Sequence, residues 1–446
     1  MPTILGANTL SSGYDVANSL RFNGDNFLQR NNPSSNSTDG TKGTFSFWVK
    51  RDKFPNESQV LVHQQDSSTK RFALQIANND EFIFSIRNDA ESVDIDGTTT
   101  LDSVYRDVAA WYHFLFNYDT SGGTNGCKLF VNGAEQALSY SATLPQNFVM
   151  TVNTNGFNNH TIGRDSTQSS NFWTGYMTEV MFVDGQQLAP TQFGEYDEDT
   201  PTVWKPKNIS GINVGNLGYY LDFEDASNLG NDVKGVGDFS ETNCATTDQA
   251  TDTCTNNYAT LNPLLPESNI SFSEGNLKVS GDGSANWSSA VPTIGLTSGK
   301  WYWEWTATSN NNAFVGIVSE SLIESNGLIT DATPYDQNGL ILYFTAGRKT
   351  VDGTDTESHF TAWSSGTMSC ALDLDSGTRT IKMYHNGSQT GDTINLTGNF
   401  VSGDPVFPVF MVNSGSNTSI INANFGSPIY ANSSDAADGN GYGAFP

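Results

Sequence analysis

Basic side chains are scarce in this sequence. Among 446 residues, 21 are Lys or Arg and 48 are Asp or Glu, which gives a formal net charge of -27. Proteins that bind the phosphate backbone of DNA or RNA present clustered cations, and no basic cluster interrupts this acidic background. We therefore expect no nucleic-acid partner.

Cysteine is also rare, with four residues in the chain. Cys127 and Cys370 stand in apolar, strand-like settings, which are typical of a buried free thiol. Cys244 and Cys254 lie in a polar segment, and their spacing does not determine whether they form a disulfide. The sequence thus excludes a disulfide scaffold and leaves this one pairing open.

Long hydrophobic runs are absent. No segment approaches the roughly 20 apolar residues that a membrane-spanning helix needs, and residues 1–8 have neither the basic start nor the apolar core of a secretion signal. From this pattern we expect a soluble product made in the cytoplasm of its host.

Charge of either sign is sparse, at 15% of the residues, whereas aromatic residues reach 12% and the chain has 42 glycines. Helical bundles need more charged surface, and this mixture favours short strands joined by turns. The length predicts two or three domains. We expect an all-β protein with almost no helix.

Tryptophan alternates in one stretch near the middle of the chain. Trp301, Trp303 and Trp305 occupy every second position, which predicts a strand that points three indoles into one core. The polar run 309–312 predicts a turn, and residues 314–318 predict a returning strand. We expect this stretch to form a β-hairpin.

Short alternating strands also fill the first half of the chain. Six segments occur in an order that resembles the concanavalin A-like LamG/pentraxin lectin family: residues 22–24, 43–49, 111–114, 129–133, 161–164 and 175–185. This resemblance covers residues 19–223. It implies a jelly roll of two sheets.

The second half carries a different set of segments. Gly-Lys-Trp-Tyr-Trp-Glu from Gly299, Ala-Leu-Asp-Leu-Asp-Ser-Gly from Ala371, Tyr-His-Asn-Gly from Tyr384 and Asn-Phe-Gly from Asn424 resemble the SPRY domain. The resemblance covers residues 269–426 and implies another jelly-roll sandwich used for binding. Within it, residues 375–378 predict a tight hairpin turn.

An acidic connector is predicted over residues 224–268. Residues 222–254, which begin just before the connector, hold eight acidic residues and one basic residue, Lys234, so we expect the connector to be solvated and extended. The run 243–263 is similar to a connector of large, often marine, bacteriophage virion proteins, which usually carry Pro at the position of Cys254. This resemblance implies a virion protein, with residues 1–18 as an anchoring arm and 427–446 as a tail.

No catalytic residues are predicted. Glucanases of the concanavalin A-like class place paired carboxylates on one strand, roughly as Glu-x-Asp-x-x-Glu. The nearest match, residues 195–199, is predicted to be a solvated loop, and Glu304 is predicted to be a lone exposed carboxylate. We therefore expect the protein not to be an enzyme.

No cofactor is predicted either. The five histidines, His63, His113, His160, His359 and His385, show no paired metal-ligand spacing and are interpreted as structural. Residues 94–97 imitate the start of a calcium loop but lack its downstream ligands. A structural calcium ion at the rim of the first sandwich is left open, with no ligand named.

Aromatic residues in loops are the candidate ligand-binding residues. Sugar rings stack on exposed aromatic faces, and neighbouring Asn, Asp and Gln bind the hydroxyls. Trp173, Tyr335 and Trp363 fit this pattern. Each of them could equally cap the edge of a sheet.

The sequence therefore predicts two antiparallel jelly-roll β-sandwiches, concanavalin A-like and SPRY-like, joined by an acidic extended connector. The preferred function is that of a phage virion protein, either a tail fibre or a capsid-attached decoration protein. Its predicted partners are other virion proteins, further copies of itself in the particle, and host-surface glycan. A bacterial surface or secreted adhesin and a polysaccharide-degrading enzyme are the alternatives.

Overall fold

The structure is a computed structural model. It describes residues 8–9, 13–67, 70–99, 103–154, 160–167, 170–265, 269–281, 287–307, 313–326, 330–331, 339–344, 346–356, 358–360, 362, 365–400, 403–413 and 419–429. The chain divides into two compact units, a first unit of Thr9–Asn257 and a second unit of Tyr258–Pro446 with Met1–Asn8. The boundary thus falls inside the predicted connector.

The first unit is built from short strands with a few single turns of 3-10 helix. With Asn8 included, its strands are β1 (Asn8–Thr9), β2 (Ser19–Asn23), β3 (Phe27–Arg30), β4 (Lys42–Arg51), β5 (Gln59–Ser67), β6 (Lys70–Ile76), β7 (Phe82–Asn88), β8 (Val93–Thr99), β9 (Tyr112–Asp119), β10 (Cys127–Val131), β11 (Ala134–Gln136), β12 (Leu138–Tyr140), β13 (His160–Ile162), β14 (Thr174–Asp184), β15 (Gly194–Tyr196), β16 (Trp204–Pro206), β17 (Tyr219–Leu221), β18 (Ser240–Thr242), β19 (Gln249–Ala250) and β20 (Asn256–Asn257).

Two antiparallel sheets enclose the core of this unit. Sheet 1 has the order β11-β10-β9-β4-β14-β2-β19, with β17 beside β14, and sheet 2 has the order β12-β8-β7-β6-β5-β13-β3-β18. Alternate side chains of each strand point between the sheets. Phe45 of sheet 1 and Phe72 of sheet 2 stack there with ring centroids 5.2 Å apart. The predicted sandwich is confirmed.

The prediction of a solvated connector is wrong for residues 224–257. β18 pairs with β3 and β19 pairs with β2, so this segment adds an edge strand to each sheet of the first unit. Asp248 and Asp252 are buried, because Arg21 and Lys50 supply cations for them. The acidic composition of this segment therefore did not predict that Asp248 and Asp252 are buried. Cys244 and Cys254, both in this segment, are free thiols.

The second unit has a single short α-helix, α1 (Glu320–Asn326), among its described residues. Its strands are β21 (Ile270–Ser273), β22 (Lys278–Gly281), β23 (Trp287–Ala290), β24 (Lys300–Ala307), β25 (Ala313–Ser319), β26 (Thr330–Asp331), β27 (Leu340–Phe344), β28 (Lys349–Val351), β29 (Thr354–Thr356), β30 (Thr367–Asp373), β31 (Thr380–His385), β32 (Ser388–Asn395), β33 (Val406–Asn413) and β34 (Ile420–Asn424).

These strands form a second sandwich. Sheet 3 has the order β21-β22-β34-β24-β30-β31-β32, and sheet 4 has the order β26-β23-β33-β25-β27-β28-β29. Trp305 of sheet 3 meets Phe410 of sheet 4 between the sheets, with ring centroids 6.4 Å apart. The hairpin predicted around residues 375–378 is present, since β30 pairs with its antiparallel partner β31, but its connection is the longer segment 374–379 rather than a tight turn.

The predicted tryptophan hairpin is wrong, although both of its strands exist. β24 pairs with β30 and β34, whereas β25 pairs with β27 and β33, so the two strands belong to opposite sheets. Both strands are apolar enough to be buried. The alternation of apolar and polar residues predicts each strand, but it does not say whether the residues between them form a hairpin or cross from one sheet to the other. The predicted turn at 309–312 lies outside the described residues.

The four central side chains of β24, at residues 302–305, are buried on both faces. Trp303 and Trp305 lie in the core with Trp301 packed against it, as expected. Glu304, predicted to be exposed, is 0% exposed, and Tyr302 Oη donates a hydrogen bond of 2.8 Å to its Oε1. The prediction failed because the outer face of this central strand is covered as well. No helix of the described residues has the length and apolarity that crossing a membrane requires.

Candidate functional site

The structure places only one of the three candidate aromatic residues. Trp173 is 0% exposed and packs in the core of the first unit, immediately before β14. Its indole therefore offers no face to a sugar, and that prediction is wrong. The backbone N–H of Trp173 donates to Gly163 O at 2.8 Å, which turns the side chain inward between the sheets. Tyr335 and Trp363 lie outside the described residues.

A polar pocket does lie on the outer face of sheet 2. Ala73 forms its floor, because in the strand register Ala73 stands opposite His63 of β5 on one side and Ser85 of β7 on the other. Arg71 and Gln75 flank Ala73 two residues away on the same face of β6. A small residue between larger ones leaves a depression of about 220 Å³, which Ser58, Asp165 and Asn171 complete. This pocket is called the Ala73 pocket below.

His63 supplies a fixed hydrogen-bond donor to the Ala73 pocket. The backbone N–H of Ser166 donates to His63 Nδ1 at 3.1 Å, and the hydroxyl of Ser166 is 2.8 Å from the same nitrogen. Nδ1 must therefore accept, so the proton of the neutral ring sits on Nε2. Burial, with a smaller contribution from Arg71, lowers the pKa of His63 to about 4 against the opposing effect of Asp165. At neutral pH the ring is an uncharged donor.

The nearest acceptor does not reach this donor. Asp165 Oδ1 is 3.7 Å from His63 Nε2, beyond hydrogen-bond distance. The same Oδ1 accepts hydrogen bonds from Thr167 N at 2.8 Å and from Thr167 Oγ1 at 2.7 Å, which hold the carboxylate in place. A ligand hydroxyl placed between the two side chains could accept from His63 and donate to Asp165.

The remaining polar groups of the pocket complete a mixed set of donors and acceptors. The Ser85 hydroxyl donates to Asp96 Oδ1, and Arg71 Nη2 is 3.9 Å from the same oxygen. The lining residues include no Phe, Tyr or Trp. Such a pocket can bind a hydroxylated molecule through hydrogen bonds and offers it no Phe, Tyr or Trp face for stacking.

The prediction of structural histidines is confirmed most clearly at His113. Trp204 Nε1 donates to His113 Nδ1 at 3.1 Å, so Nε2 carries the proton and donates to Ser46 Oγ at 2.9 Å. Burial lowers the pKa of His113 to about 3. Because its Nε2 already carries the proton, this ring cannot act as a base toward Ser46. The sequence pattern also predicts a structural role for His63. It does not place His63 at a pocket, because strand register is not visible in the sequence.

The carboxylates considered for catalysis lie elsewhere. Glu195 is on β15, a short strand rather than the predicted loop, and its Oε2 is 3.2 Å from Lys207 Nζ. Asp94 and Asp96 are exposed residues of β8, a strand rather than a calcium loop. The described residues contain no group of three or more His, Cys, Asp or Glu side chains that could hold a metal ion.

Comparisons with known proteins give one family match. A family model described as the concanavalin A-like lectin/glucanases superfamily matches residues 22–190. No curated protein matches the chain.

Solved structures of low similarity include two SPRY domains and a carbohydrate-binding module. The SPRY domain of human HERC1 is 16% identical, with 37% of this chain and 96% of that chain covered and a TM-score of 0.30. The TRIM65 PSpry domain is 18% identical, with 37% and 90% covered and a TM-score of 0.28. The Ruminococcus gnavus IT-sialidase CBM40 bound to alpha2,3 sialyllactose is 16% identical, with 35% and 91% covered and a TM-score of 0.25. The family match places the sandwich that carries the Ala73 pocket with the concanavalin A-like lectin and glucanase fold.

Proposed function

We propose that the first unit binds a neutral glycan in the Ala73 pocket and does not cleave it. The observation that carries this proposal is the neutral His63, whose Nε2–H lines the pocket without a hydrogen-bond partner among the described residues. A ligand that enters the pocket can supply the acceptor for this donor. The match of residues 22–190 to a superfamily of lectins and glucanases supports the same ligand class.

Charge favours a neutral glycan over an anionic one. The chain carries a net charge of -27, and the carboxylate of Asp165 faces the same space as the guanidinium of Arg71. An anionic sugar would gain from Arg71 but would be repelled by Asp165 and by the overall field. Hydroxyl groups use both donors and acceptors, and therefore fit this lining better.

Binding without cleavage follows from the number of carboxylates at the pocket. Glycoside hydrolysis usually requires two of them on opposite sides of the scissile bond, one as acid and one as nucleophile or base. Asp165 is the single carboxylate among the lining residues of the Ala73 pocket. We therefore infer a lectin-like role and no enzymatic activity.

The test is to fill the pocket without removing any polar group. Ala73→Leu should lower glycan affinity at least about tenfold on a glycan panel, because the side chain occupies the space of the ligand. Thr98→Leu is the matched control: Thr98 is half-buried two strands away on sheet 2 and does not line the pocket, so binding should be unchanged. Equal binding by Ala73→Leu and the unsubstituted protein would contradict the proposal, and release of oligosaccharides would contradict its non-enzymatic part.

A place in a bacteriophage particle remains a prediction that rests on the sequence of residues 243–263. In that setting the pocket would contact host-surface glycan, and residues 1–18 would attach the chain to other virion proteins. Mass spectrometry of purified particles can check it directly. A bacterial adhesin would use the same pocket, so the glycan experiment holds for either setting.

A further inference from the structure

A lysine lies fully buried in the centre of sheet 1. Lys50 of β4 has a side chain that is 0% exposed, and its Nζ is 2.7 Å from Asp252 Oδ2. The same Nζ donates to Asn257 Oδ1 at 2.8 Å. An amine, a carboxylate and a carboxamide thus meet at one point. Asp252 and Asn257 come from the last residues of the first unit, far from β4 in the sequence.

The neighbours of these groups hold each one in place. Trp111 Nε1 donates to Asp252 Oδ1 at 3.0 Å, which leaves Oδ2 directed at Lys50. Asn257 Nδ2 donates to Ala109 O at 2.7 Å, which fixes the plane of the amide.

The surroundings of the amine are apolar on one side. Lys50 Nζ is 5.9 Å from the centre of the Tyr176 ring, and Trp48, Trp111 and Tyr176 belong to one buried cluster. The Asp252 side chain is only 1% exposed. Little bulk water can reach the amine and the carboxylate, so hydrolysis and solvation do not compete with a reaction between the three groups.

From this geometry we propose that Lys50 and Asn257 form an intramolecular amide bond once the first unit has folded. Asp252 accepts a proton from Lys50 Nζ, and the neutral amine attacks Asn257 Cγ. Asp252 then passes that proton to Asn257 Nδ2, and the Cγ–Nδ2 bond breaks. The leaving ammonia takes one of the two protons still on Nζ and departs as ammonium, while the other proton stays as the N–H of the new amide. The product is an Nζ–Cγ amide. No oxidant, metal or other co-reactant is needed.

Such a bond would close nearly the whole first unit into one covalent loop. Residue 50 lies in the central strand of sheet 1, and residue 257 ends the unit. A cross-link over a long loop restricts the unfolded chain, as a disulfide does, and it persists under reducing conditions. The unit would then resist unfolding from its C-terminal segment, although its three cysteines, Cys127, Cys244 and Cys254, are free.

The intact mass of the purified full chain tests this proposal. We expect a mass lower than the sequence mass by one molecule of ammonia, and, after proteolysis, a branched peptide that joins Lys50 to Asn257. The full sequence mass would overturn the proposal. A deficit confined to one linear peptide, as produced by a succinimide at a single asparagine, would overturn it as well.

Variants separate the nucleophile from the ion pair. Lys50→Arg keeps a cation beside Asp252 but removes the nucleophilic amine, and Asp252→Asn removes the proton acceptor; both should show the full mass expected for their sequences. Lys205→Arg is the matched control, because Lys205 pairs with Asp197 at 3.2 Å and should leave the deficit intact. If either test variant fails to fold, the mass and the peptide map of the unsubstituted chain still decide the question.

Discussion

At the scale of single residues, Glu179 is the most unusual position in the first unit. It lies within β14 at a break in the register, and its φ of 54° is rare for a residue other than glycine. Tyr220 Oη donates to Glu179 Oε1 at 2.8 Å, and Tyr14 Oη is 3.4 Å from Oε2. Burial raises the pKa of Glu179 to about 8, partly opposed by the hydrogen bond from Tyr220. The carboxyl group is therefore protonated at neutral pH.

This shift predicts how stability depends on pH. The unfolded chain releases the Glu179 proton near its ordinary pKa of 4.5, whereas the folded chain keeps it up to about 8. The contribution of Glu179 to the free energy of unfolding is therefore full below pH 4.5 and is lost progressively as the pH rises to 8. Glu179→Gln, which cannot ionise, should remove this loss, which is on the order of a few kcal/mol.

Chemical denaturation of the unsubstituted protein and of Glu179→Gln measures this effect. The measurements should run from about pH 4 to about pH 9, so that they include both pKa values of Glu179. Glu195→Gln serves as the control, because Glu195 is on the surface beside Lys207, where such pairs contribute little. If the unsubstituted protein and Glu179→Gln showed parallel pH profiles, the protonated state of Glu179 would be ruled out.

At the scale of elements, residues 240–257 depend on buried ion pairs. Arg21 Nη2 is 3.1 Å from Asp248 Oδ1 and donates to Thr247 O at 2.7 Å, and Asn23 Nδ2 donates to Asp248 Oδ1 at 3.0 Å. Asp248 Oδ2 also accepts the backbone N–H of Ala245. The carboxylate thus anchors the short edge strand β19 to β2, where only two residues pair.

Asp248→Ala should therefore destabilise the protein by roughly 3–5 kcal/mol, because it leaves the Arg21 guanidinium buried without its carboxylate. Limited proteolysis should then cleave first within residues 240–257. Glu135→Ala is the control: Glu135 pairs with Lys128 at 3.5 Å while half-exposed, and its loss should cost about 1 kcal/mol or less. Equal costs for the two substitutions would mean that the segment is held by other contacts.

At the scale of the whole molecule, each unit encloses a core of its own. Phe45 belongs to the core of the first unit and Phe410 to that of the second, and both are 0% exposed. Calorimetry should resolve a separate unfolding transition for each unit. Phe45→Ala and Phe410→Ala should each cost about 3–5 kcal/mol and lower the midpoint of a different transition. A single transition lowered equally by both substitutions would contradict this expectation.

The sequence predicts only part of the Ala73 pocket, because the pocket depends on how the whole sheet is assembled. The pattern Arg71-Ala73-Gln75 on β6 is visible in the sequence as polar residues on the outer face of a strand. Its conversion to a pocket depends on His63 and Ser85 standing opposite Ala73, and on Asp165 arriving from a loop. Those neighbours are set by strand pairing, which one sequence does not reveal. The sequence pattern predicts loop aromatics instead, and one of them, Trp173, lies in the core.

What the sequence determined by itself is local: an all-β chain, the inward positions of each strand and the hairpin after β30. A strand alternates with a period of two residues, so each segment carries this information alone. Only the tertiary structure decided that β24 and β25 belong to opposite sheets, that residues 224–257 complete the first unit, and that Lys50 meets Asp252, 202 residues further along the chain. The residues in such contacts are far apart in the sequence, and no sequence pattern marks them as partners. Their pairing is therefore known only when the sheets are assembled.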